Sequence, residues 1–318
     1  MLLVYSNRLR KAWRVYDVMR NKFLQSQQLL PKGRVHFSGS SKGWLASVND
    51  DYSVTLYRCF LSNIDHDHNH VIAPSICLPS LFPPQSDNAQ MLVNLGSPLI
   101  FPASCENHVN IILLLTTDPI INPNDCTVVV IFGEFNDLAF IRLGRDTSWT
   151  QIKGDHDYFS CFDNVLFHKN KFYTITYLGT IISFDIPESG NPIMKLVLHQ
   201  HELVNGKRYL VTSPGGELWY VARDTKWPEH TRVTTMFKVF RLEDVDGDDA
   251  KLVKIKSLGD VALFLGDNSS ISVVASNHLG CQANTIYFVH DITSTCGWYT
   301  DNAKLIGFTI PRFLVIVD

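Results

Sequence analysis

Apolar and polar residues alternate along most of the chain with a period of two. From Lys171 to Tyr177, Phe172, Thr174 and Thr176 fall on one face of an extended segment, and Tyr173, Ile175 and Tyr177 on the other. The run FDNVLFH, ending at His168, precedes it across a short turn at Asn170-Lys171, and Leu178-Gly179 turns the chain into a third run, Thr180–Ile186. The same grammar recurs. Pro214-Gly215-Gly216 closes a hairpin between RYLVTS and ELWYVAR, and TTMFKVFRLED supplies the next strand. CTVVVIFGEFNDLAFIRLGRDTSWTQI reads as three strands, with turns at Gly133–Asn136 and Gly144–Asp146. KLVKIKSLGDVALFLG turns at Gly259-Asp260, and ISVVAS and NTIYFVHD follow. Helical periodicity is weak throughout. Such runs number about two dozen, grouped in fours about every 45 residues, which predicts an all-β propeller of six or seven blades with four antiparallel strands each. Leu78–Gln90, rich in proline and polar residues, and Ile64–Val71 are predicted rim loops, as is Asp224–Arg232. No composition shift marks a boundary, so residues 1–318 are expected to form a single domain.

Composition narrows the partners. With 45% hydrophobic and 19% charged residues, 318 positions can bury one large core. The net charge is −3 and the basic residues are scattered, which argues against nucleic acid as a partner. No stretch reaches the ~18 apolar residues of a membrane-spanning helix. The N-terminus lacks the apolar region of a secretory signal, so a cytoplasmic or nuclear location is expected; its Arg-rich start leaves an organellar transit peptide as the alternative. The seven cysteines form no C-x-x-C pair, which predicts reduced, mostly buried thiols and neither a zinc site nor a disulfide framework.

Three segments spell chemistry. Gly39 to Gly43 reads G-x-S-x-G, the nucleophile elbow of serine hydrolases. That elbow needs a strand before it and a helix after it; here Trp44–Val48 and Ser53–Cys59 are strand runs, so Ser41 is expected in a hairpin turn. His66, His68 and His70 would face one way on an extended segment and could chelate a divalent metal, but no fixed fourth ligand accompanies them. A solvated loop able to touch a partner is the expectation, with no metal or other cofactor. Asp244–Asp249 mimics the start of a calcium loop, yet the EF-hand glycine and final glutamate are missing, so a charged turn is expected. Trp13, Trp44, Trp149, Trp219 and Trp298 lie in or beside strand runs and are expected to pack between blades. Trp227, in the polar loop DTKWPEH, is a candidate binding anchor.

Several ordered segments carry a resemblance to a plant family. LLVYSN and AWRVYDV near the start, GSSKGWL, SWTQI, DNVLFHKNKFYTI, YLVTSPGGELWYVAR, LGDVALFLGDNSSISV and GCQANTIYFVHD together resemble the KIB-type β-propeller half of F-box-associated proteins. The resemblance implies a non-enzymatic propeller that holds a protein target for a ubiquitin ligase. It begins at Leu2, already inside the propeller, and so implies a chain without F-box helices and without a Skp-type partner. The rival readings are a propeller that binds a small molecule or glycan, which needs a deep aromatic cavity, and a propeller enzyme, which needs ionisable groups converging on the central channel.

Overall fold

A computed structural model describes residues 2–6, 12–17, 22–23, 37–58, 74–82, 111–133, 136–153, 161–199, 206–226, 233–245, 250–266, 269–278, 281–288 and 313–315. The alternating runs become strands, and tight turns between them make each run pair with the next. The first sheet joins β1 (Leu2–Ser6), β2 (Ala12–Asp17) and β3 (Lys22–Phe23) to the last strand, β23 (Phe313–Val315), which pairs antiparallel with β1. The second is β4 (Phe37–Ser41), β5 (Trp44–Val48), β6 (Ser53–Arg58) and β7 (Ser75–Ser80). The third is β8 (Ile112–Leu115), β9 (Thr127–Phe132), β10 (Asp137–Arg142) and β11 (Thr150–Ile152). The fourth is β12 (Phe162–His168), β13 (Lys171–Thr176), β14 (Ile181–Asp185) and β15 (Ile193–Leu198). The fifth is β16 (Arg208–Thr212), β17 (Leu218–Lys226), β18 (Val233–Glu243) and β19 (Lys251–Ile255). The sixth is β20 (Val261–Leu265), β21 (Ser270–Val274) and β22 (Thr285–Phe288).

From the second sheet to the fifth, each sheet is an antiparallel meander whose first strand lies innermost. β4 sits beside β8 and β23, β12 beside β8 and β16, and β16 beside β21. This is the radial arrangement of a propeller. Each seam between sheets is filled by alternate residues. Val128 and Val130 of β9 pack with Trp44 and Leu56 of the second sheet, while Val129 and Ile131 pack with Phe172 and Phe184 of the fourth. On β17, Tyr220 faces Tyr173 of the fourth sheet, and Trp219 shares the opposite seam with Leu263 and Leu265. Both faces of a blade are therefore covered, which explains runs such as TVVVIF that have no polar face.

The expected six or seven four-stranded blades need correction: the described residues form five four-stranded antiparallel sheets. The sixth sheet has the order β21-β20-β22, and β20 and β22 run parallel. A 3-10 turn at Ala275–Asn277 starts the crossover that parallel pairing requires. Counting runs and dividing by four assumes that every run pairs with its sequence neighbour, and the last group breaks that rule. Two expected loops also begin as strand. Ser80 ends β7, and Leu78 and Leu81 belong to the core; Asp224 to Lys226 complete β17. The reading of mostly buried thiols can be followed at four of the seven cysteines. Of the described cysteines, all free, Cys126 is buried, Cys161 and Cys281 are half-buried, and Cys77 is exposed on the outermost strand of its sheet.

Candidate functional site

Two hairpins on one face are closed by two-residue turns. Lys42-Gly43 joins β4 to β5 with φ of 47° and 75°, and Lys169-Asn170 joins β12 to β13 with φ of 49° and 62°. Positive φ at both positions matches the twist of the flanking strands. Ser41 is the last residue of β4, opposite Trp44 in the ladder. Its Oγ accepts the Leu115 N–H from the neighbouring inner strand at 3.0 Å. The hydroxyl thus satisfies a backbone donor between blades, and Ser41 lies in the strand beside the turn rather than in the turn itself.

The same device recurs around the inner strands. The buried Asn164 side chain accepts the Leu210 N–H at 3.1 Å, and Ser272 Oγ donates to the Thr212 carbonyl at 2.6 Å. His168 Nδ1 lies 3.1 Å from Thr212 Oγ1. Further out, Arg58 pairs with Asp118 at 3.2 Å, and Arg142 donates to the Pro187 and Glu188 carbonyls at 2.9 and 2.7 Å. Sequence reasoning missed these polar ties. Their only signal is a polar residue inside an apolar run, such as Asn164 in FDNVLFH.

Perturbed ionisable groups lie in several seams, and two of them, His168 and the Tyr220 hydroxyl that burial raises, share the one between the fourth and fifth sheets. Burial pushes the Cys126 thiol up, although it donates to the Thr117 carbonyl. Burial also raises the Asp137 carboxyl against the pull of Lys153, and lowers His168, helped by the charge of Lys169. Each is accounted for by its own packing. Among the described residues no three His, Cys, Asp or Glu side chains are grouped to hold a metal. The sequence candidates Trp227, His66, His68 and His70 lie outside the described residues.

Exposed apolar side chains stand on outer strands, as at Ile193, Leu196, Met236 and Val253, and on two turns. Ile120 and Ile121 stand on the β8–β9 connection, whose shape is held by the Asp118 carboxylate accepting the Ile120 N–H at 2.9 Å. Tyr177 and Leu178 stand on the β13–β14 turn, where Tyr177 N–H donates to the Cys161 carbonyl at 2.8 Å. A separate open groove of about 380 Å³ runs along the outer part of the seam between the fifth and sixth sheets, walled by Phe237, Val239, Ile255 and Ile286.

The profile of the KIB1-4 beta-propeller family matches residues 15–307. Curated relatives come from Arabidopsis thaliana. At5g55150, provisionally named an F-box protein, is 24% identical over 272 residues, covering 84% of this chain and 68% of its own. The probable F-box protein At1g65740 is 28% identical over 175 residues, covering 50% of this chain and 46% of its own. The F-box protein At2g17036 is 25% identical over 271 residues, covering 78% of this chain and 63% of its own. The chain thus spans about half to two thirds of the length of these relatives. No solved structure matches it.

Proposed function

The chain belongs to the KIB1-4 β-propeller family, and we propose from that premise that it is a non-enzymatic protein-binding propeller, the target-recognition half of an F-box-type ubiquitin-ligase adaptor. The observation that carries this reading is the placing of exposed apolar pairs, Ile120-Ile121 and Tyr177-Leu178, on turns pinned to a packed β scaffold. Rigid turns that present isoleucine and tyrosine lose little entropy on binding and suit a protein surface. This reading expects residues 2–6 and 12–17, both strands of the first sheet, to offer no helical grip to a Skp-type subunit.

The test is capture from plant tissue with the expressed 318-residue chain, beside the variants Ile121→Asp and Tyr177→Asp. The expected result is one protein recovered in stoichiometric amount and lost with at least one variant, with no Skp-type or cullin subunit, against an F-box-containing relative as control. Recovery of the ligase, or a target that ignores both variants, overturns the corresponding part. A cytoplasmic or nuclear location belongs to the same reading, and a fluorescent fusion in plant cells checks it.

A further inference from the structure

The outermost strand of the fourth sheet, β15, leaves one edge of its backbone without a strand partner among the described residues. In an antiparallel ladder alternate residues turn their N–H and C=O groups away from the neighbouring strand, so such an edge presents a row of donors and acceptors. Ile193 to Leu196 pair in unbroken register with Asp185 to Ile182, and the bulge comes only beyond Leu196. Met194 and Leu196 lie opposite Phe184 and Ile182, on the face toward the third sheet, and Met194 is packed down on that seam. Ile193 and Lys195 lie opposite Asp185 and Ser183, on the face toward the fifth sheet. Leu196 is 41% exposed and Ile193 83%, the greatest exposure of any large apolar side chain among the described residues.

Scattered apolar exposure on an outer strand needs no function to explain it. What sets β15 apart is how the other outer strands are guarded. β3 has two residues and β11 three, β7 carries Pro79, and β19 carries Lys251 and Lys254. β22 ends in the buried Tyr287 and Phe288. Short length, proline, repeated lysines and cover are devices that keep sheet edges from pairing. β15 has six residues, no proline and a single charge, Lys195. Lys195 is exposed and, among the described residues, forms no ion pair with Asp185 or any other carboxylate. That lysine selects the occupant. A second copy of β15 brings no acidic residue, and two such strands centred on each other set Lys195 against Lys195. A strand with a carboxylate at that position is attracted instead.

We propose that the edge Ile193–Leu196 takes an extended segment of the protein target by antiparallel strand addition. The segment that fits reads, from its N-terminus, apolar, acidic, apolar, apolar, with these residues opposite Leu196, Lys195, Met194 and Ile193 in turn. Antiparallel pairing is the more stable per residue. Main-chain hydrogen bonds supply affinity, and the carboxylate opposite Lys195 fixes the register. The inference rests on the protein-binding reading and names the form and chemistry of a contact separate from the turns.

The test uses fluorescence anisotropy with the full chain and a blocked, fluorescein-labelled peptide whose core is valine–glutamate–valine–valine. One control replaces the glutamate with lysine. Two others carry N-methyl groups on one or the other set of alternate backbone amides, with the side chains unchanged. The parent peptide is expected to bind saturably, and the lysine peptide at least about tenfold more weakly. Only one set of amides faces the edge, so one methylated peptide is expected to bind at least about tenfold more weakly than the other. Lys195→Glu is expected to reverse the preference between the glutamate and lysine peptides at an unchanged melting temperature, a swap that loss of fold cannot produce. Equal binding of both methylated peptides would reduce the edge to a side-chain patch and overturn the inference. So would an unchanged preference in Lys195→Glu, a parent peptide that fails to bind, or sedimentation of the chain as a dimer that Ile193→Asp dissolves. If the captured target survives both Ile193→Asp and Lys195→Glu but is lost with Ile121→Asp or Tyr177→Asp, protein binding stands and only the strand edge is wrong.

Discussion

The Ser41 hydroxyl lies where a hydrolase motif would put a nucleophile, yet its partner is the Leu115 N–H. Ser41→Ala is expected to cost about 1–3 kcal/mol, because it leaves a buried backbone donor without an acceptor. Chemical unfolding measures the loss, and a fluorophosphonate probe should label neither form. Trp44 is 0% exposed in the seam between the second and third sheets. Trp44→Ala is expected to cost roughly 3–5 kcal/mol. Its Nε1–H has no acceptor among the described residues, so Trp44→Phe should retain most of the stability. An unchanged unfolding midpoint for Trp44→Ala would contradict the packing described.

Hairpins read well from the chain because the turn residue and the alternation agree. Pro214-Gly215-Gly216 sits between β16 and β17 as expected, and the three strands from Phe162 to Asp185 form as read. Close approaches between strands could not be read. A Cβ on Gly206 would lie 1.6 Å from the backbone oxygen of Arg223, whose N–H donates to the Lys207 carbonyl at 3.0 Å. Gly206→Ala must therefore push the start of β16 off β17, at about 1–3 kcal/mol or more. Gly216→Ala meets no atom within 4 Å and carries only the strain of its φ of 78°. Thermal melts of the two variants should rank Gly206→Ala as clearly the worse, and the opposite order would refute the contact.

At the scale of the molecule, stability resides in the seams, and one of them is sensitive to acid. His168 is 7% exposed between the fourth and fifth sheets, and burial holds its folded pKa below the ordinary histidine value. The unfolded chain thus binds this proton more readily. The stabilisation is complete above about pH 6.5 and is lost as the pH falls from there toward the depressed folded value. His168→Asn keeps a polar partner for Thr212 and removes the titration, so its melting temperature should fall less than that of the parent between pH 7.5 and 5.5. Equal falls would sink the assignment. What the chain determined by itself was local: period-two runs, turn chemistry and the absence of a helical stripe specify an all-β meander, because strand geometry and turn geometry are set by neighbours in sequence. The number of four-stranded blades, the parallel β20–β22 pair and the Ser41–Leu115 bond were decided only in the tertiary structure. Each depends on residues far apart in the chain, and alternation records which face a side chain takes but not which strand it meets.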